Sequence, residues 1–276
     1  MKRTLILTSL LCCCLLGLTQ NDSTQKQKLQ FKLGLNYNSN LHYYGRTDSL
    51  RSSGIFPQAE LWLGDKFYLS ATSVFVRNAV QPLDYAGTVA TVGYLDVRKH
   101  WITSAYLLKP FYGEDVQLVQ SALKTQAGLS FTYVNKIINL TAGADLKYAD
   151  RIDYGASAGI DHIVRKEIKG GSALVIDPSV NVYAGTQNFS TTYTKKRNGF
   201  LFLPGESETV TRSAQRFSLL SLEASLPVIW ARKNWLAQVT PSWVSPRNLV
   251  TVAGHPDFSE QGSNMFYVTA GLTYTF

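Results

Sequence analysis

Lys32, Glu60, Lys124, Asp145, Lys147, Asp153, Asp161, Asp177 and Glu223 hold the most chemical potential in this chain, because each falls on the polar side of a segment that alternates apolar and polar residues. Residues two apart on a strand share a face, so these charges are expected to look the same way from neighbouring strands. On an enclosed face they have two uses. Opposite charges pair across the interior and close it, since a charge buried without a partner costs several kcal/mol. Alternatively Asp145, Asp153, Asp161 and Asp177, on three adjacent strands, form an acidic wall along a path for cations or polar solutes. Both readings stay open from the residues alone.

Catalysis has less to work with. His42, His100, His162 and His255 are far apart, and none has the spacing of a metal-binding pair. There is no Gly-x-Ser-x-Gly segment, and no histidine, serine and asparagine arrangement of the kind membrane phospholipases use is evident near any histidine. No catalytic, cofactor-binding or metal-binding residue is assigned, and no cofactor is expected. The cysteines, Cys12, Cys13 and Cys14, all lie in the leader described below, so neither thiol chemistry nor a disulfide is expected of the mature chain. Arg and Lys do not cluster with aromatics, so nucleic acid is not an expected partner.

The strands decide which face these residues share. Twelve alternating segments are read at 29–38, 55–63, 66–77, 87–97, 101–109, 121–134, 137–149, 151–165, 172–187, 216–229, 235–245 and 264–276. Tight turns at Gly64-Asp65, Arg98 to His100, Asn135-Lys136, Lys166 to Gly171 and Ala231 to Asn234 fall on one side, and the long stretches 39–54, 109–121, 188–212 and 248–262 fall on the other. Ten or fourteen strands would also fit, because 39–54 and 188–212 are long enough to hide or extend strands.

In 137–149 the apolar set is Ile138, Leu140, Ala142, Ala144, Leu146 and Tyr148, against Asn139, Thr141, Gly143, Asp145 and Lys147. A soluble sandwich would put its apolar face inside and charged residues outside. Glycine among isolated charges suits a crowded, enclosed face better. The expected fold is therefore all-β, a single antiparallel transmembrane β-barrel of about twelve strands, apolar side outward, with both termini periplasmic. Strands 87–97 and 101–109 resist the assignment of faces, because Thr91, Gly93 and Leu95 alternate with the equally apolar Ala90, Val92 and Tyr94.

The final residues, MFYVTAGLTYTF, alternate without a fault and end on Phe276. This segment resembles the closing strand of Gram-negative outer-membrane β-barrels, where it is read by the barrel assembly machinery. The resemblance implies an outer-membrane location, contact with outer-membrane lipid and that machinery as a partner. No functional residue carries over with it.

At the other end, Lys2 and Arg3 precede an apolar stretch from Leu5 to Leu18, short for a bilayer span and suited to a cleaved signal peptide over 1–20. A short polar segment over 21–28 and a barrel over 29–276 complete the expected organisation. The formal charge of +8 falls by the two leader cations to +6, and basic residues recur in the tight turns (Arg98, Lys99, Lys136, Lys166, Arg232, Lys233), where solvated charge is ordinary. The charged interior points first to a small passive channel for polar solutes. A non-conducting accessory or structural barrel of a larger outer-membrane assembly is the alternative, and a lipid-modifying enzyme the third reading.

Overall fold

The computed structural model describes residues 29–47, 50–80, 82–113, 123–168, 170–188, 216–250 and 259–276. The leader and the polar segment to residue 28, Asp48-Ser49, and most of the long stretches 188–212 and 248–262, His255 included, lie outside them.

The first seven staves of a closed antiparallel barrel include β1 (Leu29–Asn38), β4 (Ser53–Leu63), β5 (Phe67–Arg77), β6 (Asp84–Val97), β7 (Trp101–Tyr112), β8 (Thr125–Tyr133) and β9 (Asn139–Tyr148). Between β1 and β4 stands a small hairpin, β2 (His42–Tyr43) and β3 (Arg46–Thr47). The next three staves are each broken once, giving β10 (Ile152–Asp161) with β11 (Val164–Ile168), β12 (Ser172–Ile176) with β13 (Ser179–Gly185), and β14 (Ser218–Ser225) with β15 (Val228–Arg232). The last two are β16 (Trp235–Pro246) and β17 (Met265–Thr275). The twelve staves close where β17 pairs with β1, from Lys32 opposite Thr275 to Asn38 opposite Thr269, and the Phe276 amide donates to the Phe31 carbonyl at 2.9 Å.

Closure satisfies the backbone without exposing an edge along the β1–β17 seam, which is the condition for a sheet placed in hydrocarbon. The outer surface fits that solvent. Leu35, Val92, Leu107, Leu140, Val239 and Phe266 are each at least half exposed in the isolated chain. At the rim that carries Leu29 and Phe276, the terminal rim, rings pair side by side: Trp101 with Tyr133 at 5.0 Å, Trp235 with Tyr274 at 4.8 Å, and Phe31 with Phe276 at 5.6 Å. Such a ring girdle belongs at the level of lipid headgroups.

The breaks have a local cause. Pro178, Pro227 and Pro241 sit at one level on three adjacent staves, and proline cannot donate to a ladder. Single bonds stitch across it: the amides of His162, Asp177 and Leu226 donate to the carbonyls of Pro178, Pro227 and Pro241 at 3.1, 3.0 and 2.9 Å. The ladders are interrupted there without losing alternation, so Asp161 and Asp177 stay inward while Val164 and Val180 stay outward.

The inner wall is packed by alternating large and absent side chains. Tyr68 lies over Gly93 and Tyr106 over Gly128, so a Cβ at either glycine would run into the ring. The faces of 87–97 and 101–109 are ambiguous in sequence for a related reason. Near the far rim the inner wall carries a small apolar cluster of Val74, Val76 and Ala86, packed against Phe56, Val89, Tyr112 and Leu41. Apolar residues therefore occupy both faces of these staves.

Candidate functional site

Leu41 in that cluster belongs to the loop between the first two staves, which does not stand outside the barrel but turns into it. The tip of its hairpin is Tyr44-Gly45, with φ of 53° and 77°, the two left-handed residues of a type I′ turn. Glycine takes this shape freely. Tyr44 adopts it at a cost of about 1 kcal/mol, which its side chain offsets by contacts on the far wall. Its ring lies 5.0 Å from that of Tyr183 on β13, and its hydroxyl is 3.4 Å from Lys147 Nζ on β9.

Those contacts fix where the hairpin goes. In a ring of twelve staves the first and the seventh are diametrically opposed, and a barrel of this size is about 24 Å across between backbones. A loop that starts at β1 and touches β9 has crossed the lumen. His42, at the near end of the hairpin, meets Tyr267 on the last stave edge to face at 4.4 Å, and its Nδ1 accepts from the Gly45 amide at 3.2 Å. Burial lowers the His42 pKa from its ordinary 6.5 to about 4, so the ring is neutral where it sits. Burial likewise raises the Tyr43 and Tyr44 hydroxyls well above their usual range, with neighbouring charges adding to the effect.

Arg46 is the clamp. Its five N–H donors are all used: Nε to Glu260 Oε2 at 3.0 Å, Nη1 to the carbonyls of Tyr44 and Leu220 at 3.3 and 3.2 Å, and Nη2 to Gln187 Oε1 and the Arg247 carbonyl at 3.1 and 3.0 Å. Its side chain is 2% exposed and that of Glu260 6%. Glu260 Oε2 also accepts from the Val250 amide at 2.8 Å, and the Thr47 amide donates to the Gln261 carbonyl at 3.0 Å. The hairpin is thus tied to the connections that follow the ninth and eleventh staves.

The nine charges read from the sequence fall into distinct settings. Lys147 and Asp145 form a buried ion pair beneath the hairpin, with Lys147 also under the Tyr44 ring at 5.5 Å. Gln126 ties Asp145 to the Tyr106 hydroxyl. Near the terminal rim, Lys32 lies over the Trp62 ring at 4.3 Å, while Glu60 accepts from Trp62 Nε1 and Gln58 Nε2, both at 2.9 Å. Asp161 accepts from Asn139 at 2.6 Å and adjoins Asp177, which leaves one buried Oδ1 without a partner among the described residues. Glu223 is bonded to Ser225 and Tyr267. Asp153, 1% exposed, accepts from Thr186 and from the amide and side chain of Asn188, fastening the start of the connection after β13. Lys124 stands at the far mouth, 56% exposed, pairing with Asp150 at 3.1 Å.

The structure therefore brings Asp145 to Lys147 and Asp161 to Asp177, sets Lys32 opposite Glu60 and Asp153 opposite Lys147 in register, and leaves Lys124 and Glu223 apart from these. His42, Tyr44, Arg46 and Glu260 were not singled out as site residues from the sequence. The hairpin's own signal there is slight: a Tyr-Gly pair inside a long polar connection.

No protein-family model and no curated protein matches this chain. Among solved structures it is similar to a KdgM porin (8% identity, 89% of this chain and 99% of that one, TM-score 0.48), to LpxR from Salmonella typhimurium (11%, 88% and 99%, 0.46) and to an outer membrane channel from Pseudomonas putida F1 (9%, 94% and 98%, 0.46). No residue of the hairpin cluster and no activity is carried over from similarities of this size.

Proposed function

We propose that this chain is an outer-membrane barrel, terminal rim in the periplasm, whose lumen is closed at rest by the β2–β3 hairpin, and that it serves as a non-conducting structural or accessory barrel. The closed antiparallel sheet, its apolar outer surface and its ring girdle support the membrane placement. One observation carries the rest: a loop leaving the first stave is held against the seventh by Tyr44 and Lys147 and locked by the fully bonded Arg46. A passive pore for polar solutes needs a wet path past charges that do not touch. Here Lys147 and Asp145, two apart on the seventh stave, pair with each other, and Lys147 also meets the hairpin through Tyr44.

The channel reading keeps a specific foothold. Beside the first and last staves lies a hollow of about 340 Å3 whose lining carries no charged residue and mixes the polar Asn36, Asn38, Gln238, Thr269 and Thr273 with Phe56 and Leu236. Displacing the hairpin, which only non-covalent contacts hold, would join that hollow to the outside.

Purified wild-type protein in planar bilayers tests the proposal, with migration of the mild-detergent extract on a native gel as the second measurement. Silence in the bilayer and migration well above that of the refolded barrel alone in the same detergent are the expected pair. Steady ohmic steps from the wild type, or migration of the barrel alone, would overturn it.

A further inference from the structure

The proline row does more than interrupt the ladders. On the outer face it leaves a recess of about 640 Å3, bordered by Ile160, Val180, Leu226, Pro241, Trp243 and Phe266, with the small Ala224 at its floor. The size falls within the roughly 300 to 1,000 Å3 of small-molecule sites. Its placement is settled by register: Ile160 pairs with Val180, Val180 with Ala224, Ala224 with Trp243 and Trp243 with Phe266, a single outward row. A recess on the lipid-facing side of a barrel is filled by whatever the membrane supplies. An empty apolar hollow would forfeit contacts along its whole lining.

We propose that this recess is a binding site for one phospholipid of the leaflet on the terminal side, taking an acyl chain along the row from Ile160 to Phe266 and its phosphate at Lys136 and Lys166. The charges are placed for it. Ile138 borders the recess, the adjoining Ile137 carbonyl is bonded to His162 Nδ1 at 2.6 Å, and Lys136 is the exposed residue next in the turn. On the neighbouring stave His162, Val164 and Lys166 share the outer face, which puts Lys166 about 13 Å rimward of the recess. An apolar slot with two cations rimward of it matches a chain and an anionic headgroup; a partner helix would present no charge there. The proposal rests on the membrane placement of the barrel and is independent of whether the lumen conducts.

Native mass spectrometry of the full barrel, extracted and then stripped with delipidating detergent, reads it directly. Wild type and Ala144→Phe, a control on the outer face remote from the recess, are expected to retain one phospholipid. Ala224→Phe, which fills the recess from its floor, is expected to lose it at least tenfold, and Lys136→Gln with Lys166→Gln several-fold. Absence of retained phospholipid in the wild type, equal retention by Ala224→Phe or by the lysine variant, or a polypeptide in its place overturns the assignment. A phospholipid with a photoreactive acyl chain gives the same test without a variant. Adducts concentrated at Leu226, Trp243 and Phe266 support the site, and adducts spread evenly over the apolar belt overturn it.

Discussion

The Tyr44 hydroxyl lies 3.4 Å from Lys147 Nζ, although Tyr44 follows the first stave and Lys147 belongs to the seventh, on the opposite wall of the barrel. Nothing local explains this contact. The residues are separated by 103 positions, and Tyr44 reaches its partner from a left-handed backbone shape that a tyrosine does not choose. The strain is held because Arg46, two residues on, is fastened at all five donors. The crossing of the barrel interior is thus a property of one hairpin and its clamp, and the proposed occlusion of the lumen rests on them.

Arg46→Ala is expected to release the hairpin while leaving the barrel intact. It removes five hydrogen bonds and strands Glu260 as a buried unpaired carboxylate, a loss of about 3–5 kcal/mol concentrated in hairpin docking. Planar-bilayer recordings should show conductance steps absent from the wild type, while urea unfolding of the sheet keeps its slope. Silent bilayers with Arg46→Ala would mean that something besides this clamp closes the lumen.

His42 makes docking sensitive to acid, with a definite sign. Docked, the ring has a pKa of about 4; released, it returns to the ordinary 6.5. Above 6.5 neither state is protonated and docking is at full strength. As pH falls from 6.5 toward 4 the released hairpin takes up a proton the docked one refuses, weakening docking by about 3 kcal/mol at the acid end. Opening frequency should rise across that window. His42→Phe, which keeps a ring against Tyr267, should flatten the profile; an unchanged profile would remove His42 from the account.

Gly128→Val should destabilise the sheet by about 1–3 kcal/mol, since its side chain would enter the space of the Tyr106 ring. Ala144→Val, facing lipid, should be close to neutral. Urea midpoints of the refolded proteins distinguish the two, and equal midpoints would mean that the inner wall is looser than described.

Much of the architecture is legible in the sequence, for a physical reason. Lipid on one side and an enclosed face on the other impose a period of two on every stave, and Ile138 to Tyr148 shows it as plainly as the closing strand. The break of the eighth, ninth and tenth staves is not legible from Pro178, Pro227 and Pro241 singly, because their alignment is a matter of register between staves. The faces of β6 and β7 were ambiguous because an apolar cluster sits inside the barrel against them. The hairpin left almost no trace. Arg46 and Glu260 lie 214 positions apart, and no periodicity links a two-residue turn to a carboxylate in the connection before the last stave.

The crossing itself is open to the most direct measurement. Protein refolded from residue 21 onward has no native cysteine, so Tyr44→Cys with Lys147→Cys presents two thiols alone. Treated in bilayers with a short bis-maleimide and read by intact mass, the pair should join within one chain in high yield, while Tyr44→Cys with Lys136→Cys, in a turn at the opposite rim, should not. Failure of the Tyr44 and Lys147 pair to join, with both thiols open to single labelling, would place the hairpin outside the lumen and contradict the account.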